Sequence, residues 1–301
     1  MQNKNIASAR WAPFAVLGVG LLAVSLGGVL ARIAQGQGVS SLAVAMWRLG
    51  LATLLVTPVA VSHSWRALAG LTRRQLGLGI VAGFFLALHF ATWITSLEYT
   101  SVASSTALVS TTPLWIGLAN FALFRERPSR LMAIGIVLSL AGSLFIFQAD
   151  SLHAAPGRSP QLGNLLAVAG SWSFAGYLLT GRRLRATLPL PAYIWLAYGA
   201  AALILLAACA ASATPLRGFG PPAWLALLGL ALGPQLLGHT AYNWSLRHVS
   251  ATFVAVVTLG EPVVSATLAF FLFGEGFTNL QASGFVLLVG GIWFAARGER
   301  R

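Results

Sequence analysis

Arg48 and Glu261 are charges set inside long apolar stretches, in MWRLGLATLL and VTLGEPVVSA. A charge within a bilayer costs several kcal/mol, so each needs a partner, a water-filled cavity or a route to the interface. Facing one cavity, Arg48 would attract a carboxylate and Glu261 an ammonium group or a coupling proton. The plainer readings are a structural ion pair, or an arginine that snorkels to the interface. His89 and His239 add two rings that can bind or relay protons and are cheaper to bury than a carboxylate. Hydrogen-bonded packing is their plain alternative. Pro113 and Pro262 stand in mid-stretch, where each removes a helical hydrogen bond and frees the carbonyl four residues earlier, at Val109 and Thr258. Ser104, Ser105, Thr106, Ser110, Thr111 and Thr112 gather more hydroxyls ahead of Pro113 than lipid contact favours.

Trp93, Trp172, Tyr177, Tyr242 and Asn243, with Thr92, Thr95 and Gln235, supply rings and hydrogen-bonding groups that suit an organic solute better than a bare ion. Trp93, Trp244 and Tyr99 also lie near the ends of apolar runs, where interfacial aromatic belts form. No cofactor or metal is expected: Cys209 is the single cysteine and sits in an apolar run, which excludes an intrachain disulfide framework and thiolate clusters. The sequence has no HExxH, GxSxG, paired aspartates or Walker A pattern, so neither an intramembrane enzyme nor direct ATP hydrolysis is indicated. A channel would present a continuous polar or carbonyl-lined filter, and none is evident.

The elements that must position these residues are membrane spans. Of 301 residues, 57% are hydrophobic and 8% charged, far from a soluble composition. Apolar runs bounded by charges or by Gly, Pro and Ser clusters predict ten transmembrane helices, over 12–31, 40–61, 75–97, 101–124, 130–148, 163–181, 190–211, 223–246, 250–273 and 279–296. A formal charge of +13 would suggest nucleic acid in a soluble protein. Here it reads as topology: with both termini in the cytoplasm, 15 of the 19 basic residues fall on that side, against Arg32, Arg158 and Arg217 opposite and Arg48 within a span. On this topology Glu261 lies ~16 Å and Arg48 ~12 Å deep at 1.5 Å per residue, so both approach the midplane. Lys4 is the single lysine, a composition that fits a GC-rich bacterial genome and hence a bacterial inner membrane.

The chain repeats itself. Pro113 to Arg127 reads PLWIGLANFALFRER and Pro262 to Gly276 reads PVVSATLAFFLFGEG. Gly79, Gly83 and His89 recur as Gly229, Gly233 and His239, and Ser25, Gly28 and Trp47 as Ser173, Gly176 and Trp195. The glycine pairs predict matching helix contacts, and the two histidines fall in opposite halves of the membrane. The polar stretch 149–162 reads as a linker between a first repeat over 12–148 and a second over 163–296. Five spans per repeat is odd, so the second copy must enter the membrane inverted, a recurring design of secondary transporters. Glu126 and Glu275 read as residues of a helix-end turn, with a gate contact as the alternative. The change from Arg-Glu-Arg to Gly-Glu-Gly follows from one copy ending inside and the other outside.

These residues also resemble a known family. Pro, an aromatic-rich apolar stretch, then Gly or Arg before Glu, followed by a glycine-rich last span (Gly284, Gly290, Gly291), resembles the EamA-type repeat of the drug/metabolite transporter superfamily; Arg48 and Glu261-Pro262 fit the same pattern. The resemblance implies export of amino acids, other metabolites or drugs. The expectation is a secondary active transporter working by alternating access, taking a small organic metabolite, with a proton as coupling ion, membrane lipids as surroundings and a functional monomer.

Overall fold

The structure, a computed structural model, describes residues 3–125, 129–152, 159–276 and 278–298. Glu126, Arg127, Arg158, Arg300 and Arg301 of the sequence reading lie outside them. All regular structure among the described residues is helical. Seven stretches of the described residues are long and apolar enough to cross a membrane: Ala12–Gly36, Ser41–Ala69, Arg73–Tyr99, Val102–Ala122, Pro160–Arg185, Leu190–Ala211 and Pro221–Ser245. Shorter apolar helices cover Arg130–Ile146 and Glu261–Phe273.

Several of these stretches are interrupted. The first divides into α1 (Asn3–Ser25) and α2 (Gly27–Gly36) around Leu26. Next, α3 (Ser41–Ala69) and α4 (Arg73–Tyr99) are continuous and begin at side-chain caps, Ser40 accepting from the Ala43 amide and Thr72 from the Gln75 amide. Ser110 and Thr111 separate α5 (Val102–Val109) from α6 (Thr112–Phe124). Then come α7 (Arg130–Leu152), α8 (Pro160–Arg185) and α9 (Leu190–Ala211), so helix runs into both ends of the expected linker. Beyond them, α10 (Pro221–Leu230) passes through a π-helical segment, Ala231–His239, into α11 (Thr240–Ser245). Finally α12 (Ala251–Val257), a 3-10 turn at Thr258–Gly260, α13 (Glu261–Phe273) and α14 (Asn279–Arg297) complete the chain.

The prolines therefore do something other than kink a continuous helix. Pro113 and Pro262 each occupy the first turn of a new helix, where no amide hydrogen is needed and the ring already holds a helical φ. The expected free carbonyls are taken up, Val109 O by the Thr112 hydroxyl at 3.0 Å and Thr258 O by the Ser110 hydroxyl at 3.3 Å. Pro234 lies inside the π segment, whose wider winding accommodates a residue that cannot donate and that crowds the preceding turn.

Packing follows the repeat. Equivalent helices pair with each other, α3 with α9 and α7 with α14. The contact of α4 with α8 has its counterpart in α1 against the π segment, and that of α5 with α13 in α12 against α6. Exchanging the halves leaves this scheme unchanged. Glycines permit the closest approaches: a Cβ on Gly142 would fall 2.5 Å from the Gly284 carbonyl oxygen, and one on Gly83 would fall 2.5 Å from Ala200. The equivalent glycines pack more loosely: a Cβ on Gly229 would meet Leu30 at an ordinary 3.4 Å. Gly233 meets nothing within 4 Å, and the tight contact passes to Gly238 against Val24, because the π winding re-phases the helix face beyond Ala231. Arg125 and Gly274, equivalent residues of the echoed motif, are both left-handed, with φ of 55° and 68°. Glycine meets that conformation freely and arginine at about 1 kcal/mol, so backbone geometry joins charge as a reason for the substitution.

Candidate functional site

The interruptions converge on one internal cavity. The bond from Ser110 to Thr258 ties the α5–α6 break to the α12–α13 break, and both residues line the cavity. So do His89 and Trp93 of α4, Phe174 of α8, His239 of the π segment and Tyr242 of α11. Glu261 closes it from the first turn of α13, where the helix dipole favours a carboxylate. Its equivalent at the head of α6 is Thr112, which is held by Ser171 at 3.2 Å. Only the second of the two helix starts thus carries a charge. The free volume is about 20 Å³, enough for roughly one water molecule. The site is closed to any larger solute until the surrounding helices move.

Arg48 is fully buried, which corrects the snorkelling reading: the side chain runs inward, not along lipid. Its Nε donates to Gln235 Oε1 at 2.8 Å, and the guanidinium carbon lies 4.0 Å from the centre of the Phe90 ring and 5.9 Å from that of Trp93. Gly27 makes room here, since a Cβ would sit 3.1 Å from Trp93 and 3.5 Å from Arg48 Nη1. Arg48 and Glu261 interact electrostatically yet form no ion pair within 4.0 Å, which corrects the structural-pair reading. Both Arg48 Nη atoms lack a hydrogen-bond partner among the described residues, as do Trp93 Nε1, Gln235 Nε2, His239 Nδ1 and Tyr242 Oη. An unpaired buried donor costs about 1–3 kcal/mol, more for a charged one. The donors of Arg48, Trp93 and Gln235 form a cluster of which Trp93 lines the cavity together with Glu261, while Arg48 and Gln235 lie behind that lining.

The histidines meet. Their ring centres are 6.2 Å apart, with Phe174 stacked on His89 at 4.8 Å and edge-on to His239 at 5.4 Å. The His89 Nδ1–H donates to the Gly170 carbonyl at 2.9 Å. In the neutral ring this leaves the Nε2 lone pair as the free acceptor.

Other expected residues lie elsewhere. Trp172 is half exposed on the far side of α8 and lines a separate cleft, because one helical step of 100° from Ser171 turns it away from the core. Tyr177 and Asn243 are bonded to each other at 2.9 Å, and the Asn243 amide also donates to Tyr198, so they brace α8, α9 and α11 without lining the cavity. Trp93 is buried beside Arg48, not in a belt. Glu275 is more than a turn residue: it pairs with Arg32 at 3.0 Å and accepts the Val102 amide at 3.0 Å, while Arg32 also donates to the Leu97 and Thr100 carbonyls at 2.8 Å each. The hydroxyls of 104–106 and 110–112 are all buried. Phe90, Phe174 and Val24 carry no local signal in the sequence, being apolar residues in apolar runs. Among the described residues no group of His, Cys, Asp and Glu could hold a metal.

The fold and parts of the sequence match known proteins. The model of the EamA-like transporter family matches residues 10–148 and again 161–297. An uncharacterized transporter of Synechocystis is 26% identical over 78% of this chain and 72% of its own length. One from Bacillus subtilis, YyaM, is 23% identical over 84% and 83%. A probable amino-acid metabolite efflux pump of Salmonella typhimurium is 27% identical over 83% and 85%. A solved crystal structure aligns with a TM-score of 0.68 at 19% identity, over 93% of this chain and 97% of the other, a likeness of fold.

Proposed function

Because the chain belongs to the EamA-like transporter family, we propose that it is a secondary active transporter of small zwitterionic metabolites, amino acids or their relatives. In this reading ten transmembrane helices form two inverted five-helix repeats in a bacterial inner membrane, with both termini cytoplasmic. The cavity between the repeats opens alternately to each side. The observation that carries the substrate class is the polarity of the buried groups: unpartnered donors of Trp93 on the cavity lining, with those of Arg48 and Gln235 behind it, and the Glu261 carboxylate elsewhere on the lining. A carboxylate would satisfy the first and an ammonium group the second. When no solute is bound, a proton on Glu261 would relieve the buried charge, which makes Glu261 the coupling site. Export is the physiological direction in this reading, and two repeats within one chain make a monomer the working unit. The Salmonella relative, named a probable amino-acid metabolite efflux pump, supports the same class.

The test is counterflow in proteoliposomes with a panel of amino acids and of their decarboxylated and deaminated analogues. Saturable uptake, stimulated by internal solute and confined to compounds with both charged groups, is the expected result. Flux linear in concentration would replace the carrier with a channel, and preference for singly charged analogues would overturn the zwitterion reading.

A further inference from the structure

A second cavity, of about 670 Å³, opens between α4, α6 and α8 and shares no lining residue with the central one. Its walls are the rings of Phe85, Trp115 and Trp172, with the Asn120 amide among them, and Arg182 and Arg183 stand at one end. From this arrangement we propose that the cleft binds an anionic phospholipid of the leaflet that meets those arginines. The inference is independent of the transported solute and rests only on the chain being embedded in a membrane.

The length of the cleft selects the occupant. Trp172 and Arg183 lie eleven residues apart on α8, about 16 Å of helix at 1.5 Å per residue. That is close to half of a hydrocarbon core about 30 Å thick, in other words one leaflet. Polarity runs along the same axis, from guanidinium groups at the membrane face through Asn120 to aromatic rings near mid-depth. A phosphate accepts well from guanidinium groups, and basic pockets between helices on the cytoplasmic side recognise acidic headgroups. A small soluble anion would engage the arginine end alone and leave the rings uncovered; Trp172 is 50% exposed even with Phe85 edge-on to it at 5.7 Å. The competing account of Arg182 and Arg183 is that they only orient the chain by the positive-inside rule. That account predicts no role for the cleft itself.

Native mass spectrometry of the purified full chain, titrated with phosphatidylglycerol or phosphatidylcholine, separates the two. The wild-type protein should bind phosphatidylglycerol at least about tenfold more tightly, since each nearby arginine contributes about 1 kcal/mol toward an acidic lipid. R182Q/R183Q should lose that preference, and so should Ala119→Trp, which fills the cleft without changing charge. R66Q/R297Q, which removes two arginines on α3 and α14, should keep it. Melting in phosphatidylcholine checks that each variant folds, and if Ala119→Trp does not, Thr180→Trp closes the cleft from the α8 side. Equal affinity for both lipids in the wild type overturns the proposal, as does retention of the preference in a folded cleft-filling variant, or full competition by glycerol phosphate. Because binding is read without transport, these outcomes leave the solute assignment untouched.

Discussion

Arg48 is held by one hydrogen bond to Gln235 and by the face of Phe90, so most of its donor capacity is unpartnered among the described residues. Replacing it with glutamine removes the charge but leaves an amide that can still reach Gln235. Solute affinity should then fall about tenfold to a hundredfold, the scale of a hydrogen bond to a charged group. Lysine should recover part of this only, because a point charge cannot lie flat on Phe90 and bond Gln235 together. Apparent KM in proteoliposomes reads both effects. On the cavity lining, Glu261→Gln should leave melting almost unchanged while flattening the dependence of transport on pH. The remaining titratable groups near it, His89, His239 and Tyr242, together with Arg48, would still be present. A full pH profile in that variant would remove Glu261 from coupling. Arg48 and Glu261 were legible in the sequence because a charge in an apolar run is conspicuous. Phe90 and Phe174, which shape the same site, were not, since a phenylalanine in such a run is equally at home in lipid or in a core. The outward turn of Trp172 was not legible for the related reason that sequence shows a helix's residues but not which way each face turns.

At the scale of helices, two kinds of glycine act differently. Gly142 and Gly284 bring α7 and α14 together along a contact far from the cavity, whereas Gly27 and Gly170 make room around Arg48, Trp93 and His89. Leucine at Gly142 should therefore destabilise the protein by about 1–3 kcal/mol, as overpacking does, and lower the melting temperature without altering substrate selectivity. Alanine at Gly27 should do the reverse, changing affinity more than stability, because its Cβ meets the ends of Trp93 and Arg48 rather than backbone. Melting curves and transport KM, measured on the same two variants, distinguish the cases. The breaks themselves were half legible: Pro113 and Pro262 marked their positions, but not that each proline begins a fresh helix. The π segment was not legible, since Gly229, Gly233 and His239 echo Gly79, Gly83 and His89 at one constant spacing through it.

Across the whole molecule, a hub around Arg32 ties several segments together on one face. Arg32 links the end of α2 to the end of α4 and to Glu275 beyond α13, and Glu275 reaches the first residue of α5. Both side chains are partly exposed, 18% and 17%, so the ion pair alone contributes modestly. The carbonyl and amide bonds around it make the hub worth more than the pair. If the cavity opens to each side in turn, this hub must break whenever that face opens, and weakening it should favour the open state. In a Cys209→Ala background carrying Ser110→Cys, a membrane-impermeant thiol reagent applied from the Arg32 side should label Arg32→Gln several times faster than the parent, as expected for losing about 1–2 kcal/mol of closure. The exchanged pair, Arg32→Glu with Glu275→Arg, should not restore protection. A carboxylate at position 32 would face the Leu97 and Thr100 carbonyls, and an arginine at 275 would face the Val102 amide, so the swap keeps the ion pair and loses the hub. Protection fully recovered by the swap would mean that charge alone holds this face shut. The echo of Glu126 and Glu275 pointed to topology in the sequence. Folded, the second copy joins four segments that must separate together, a contact that no spacing along the chain could have revealed.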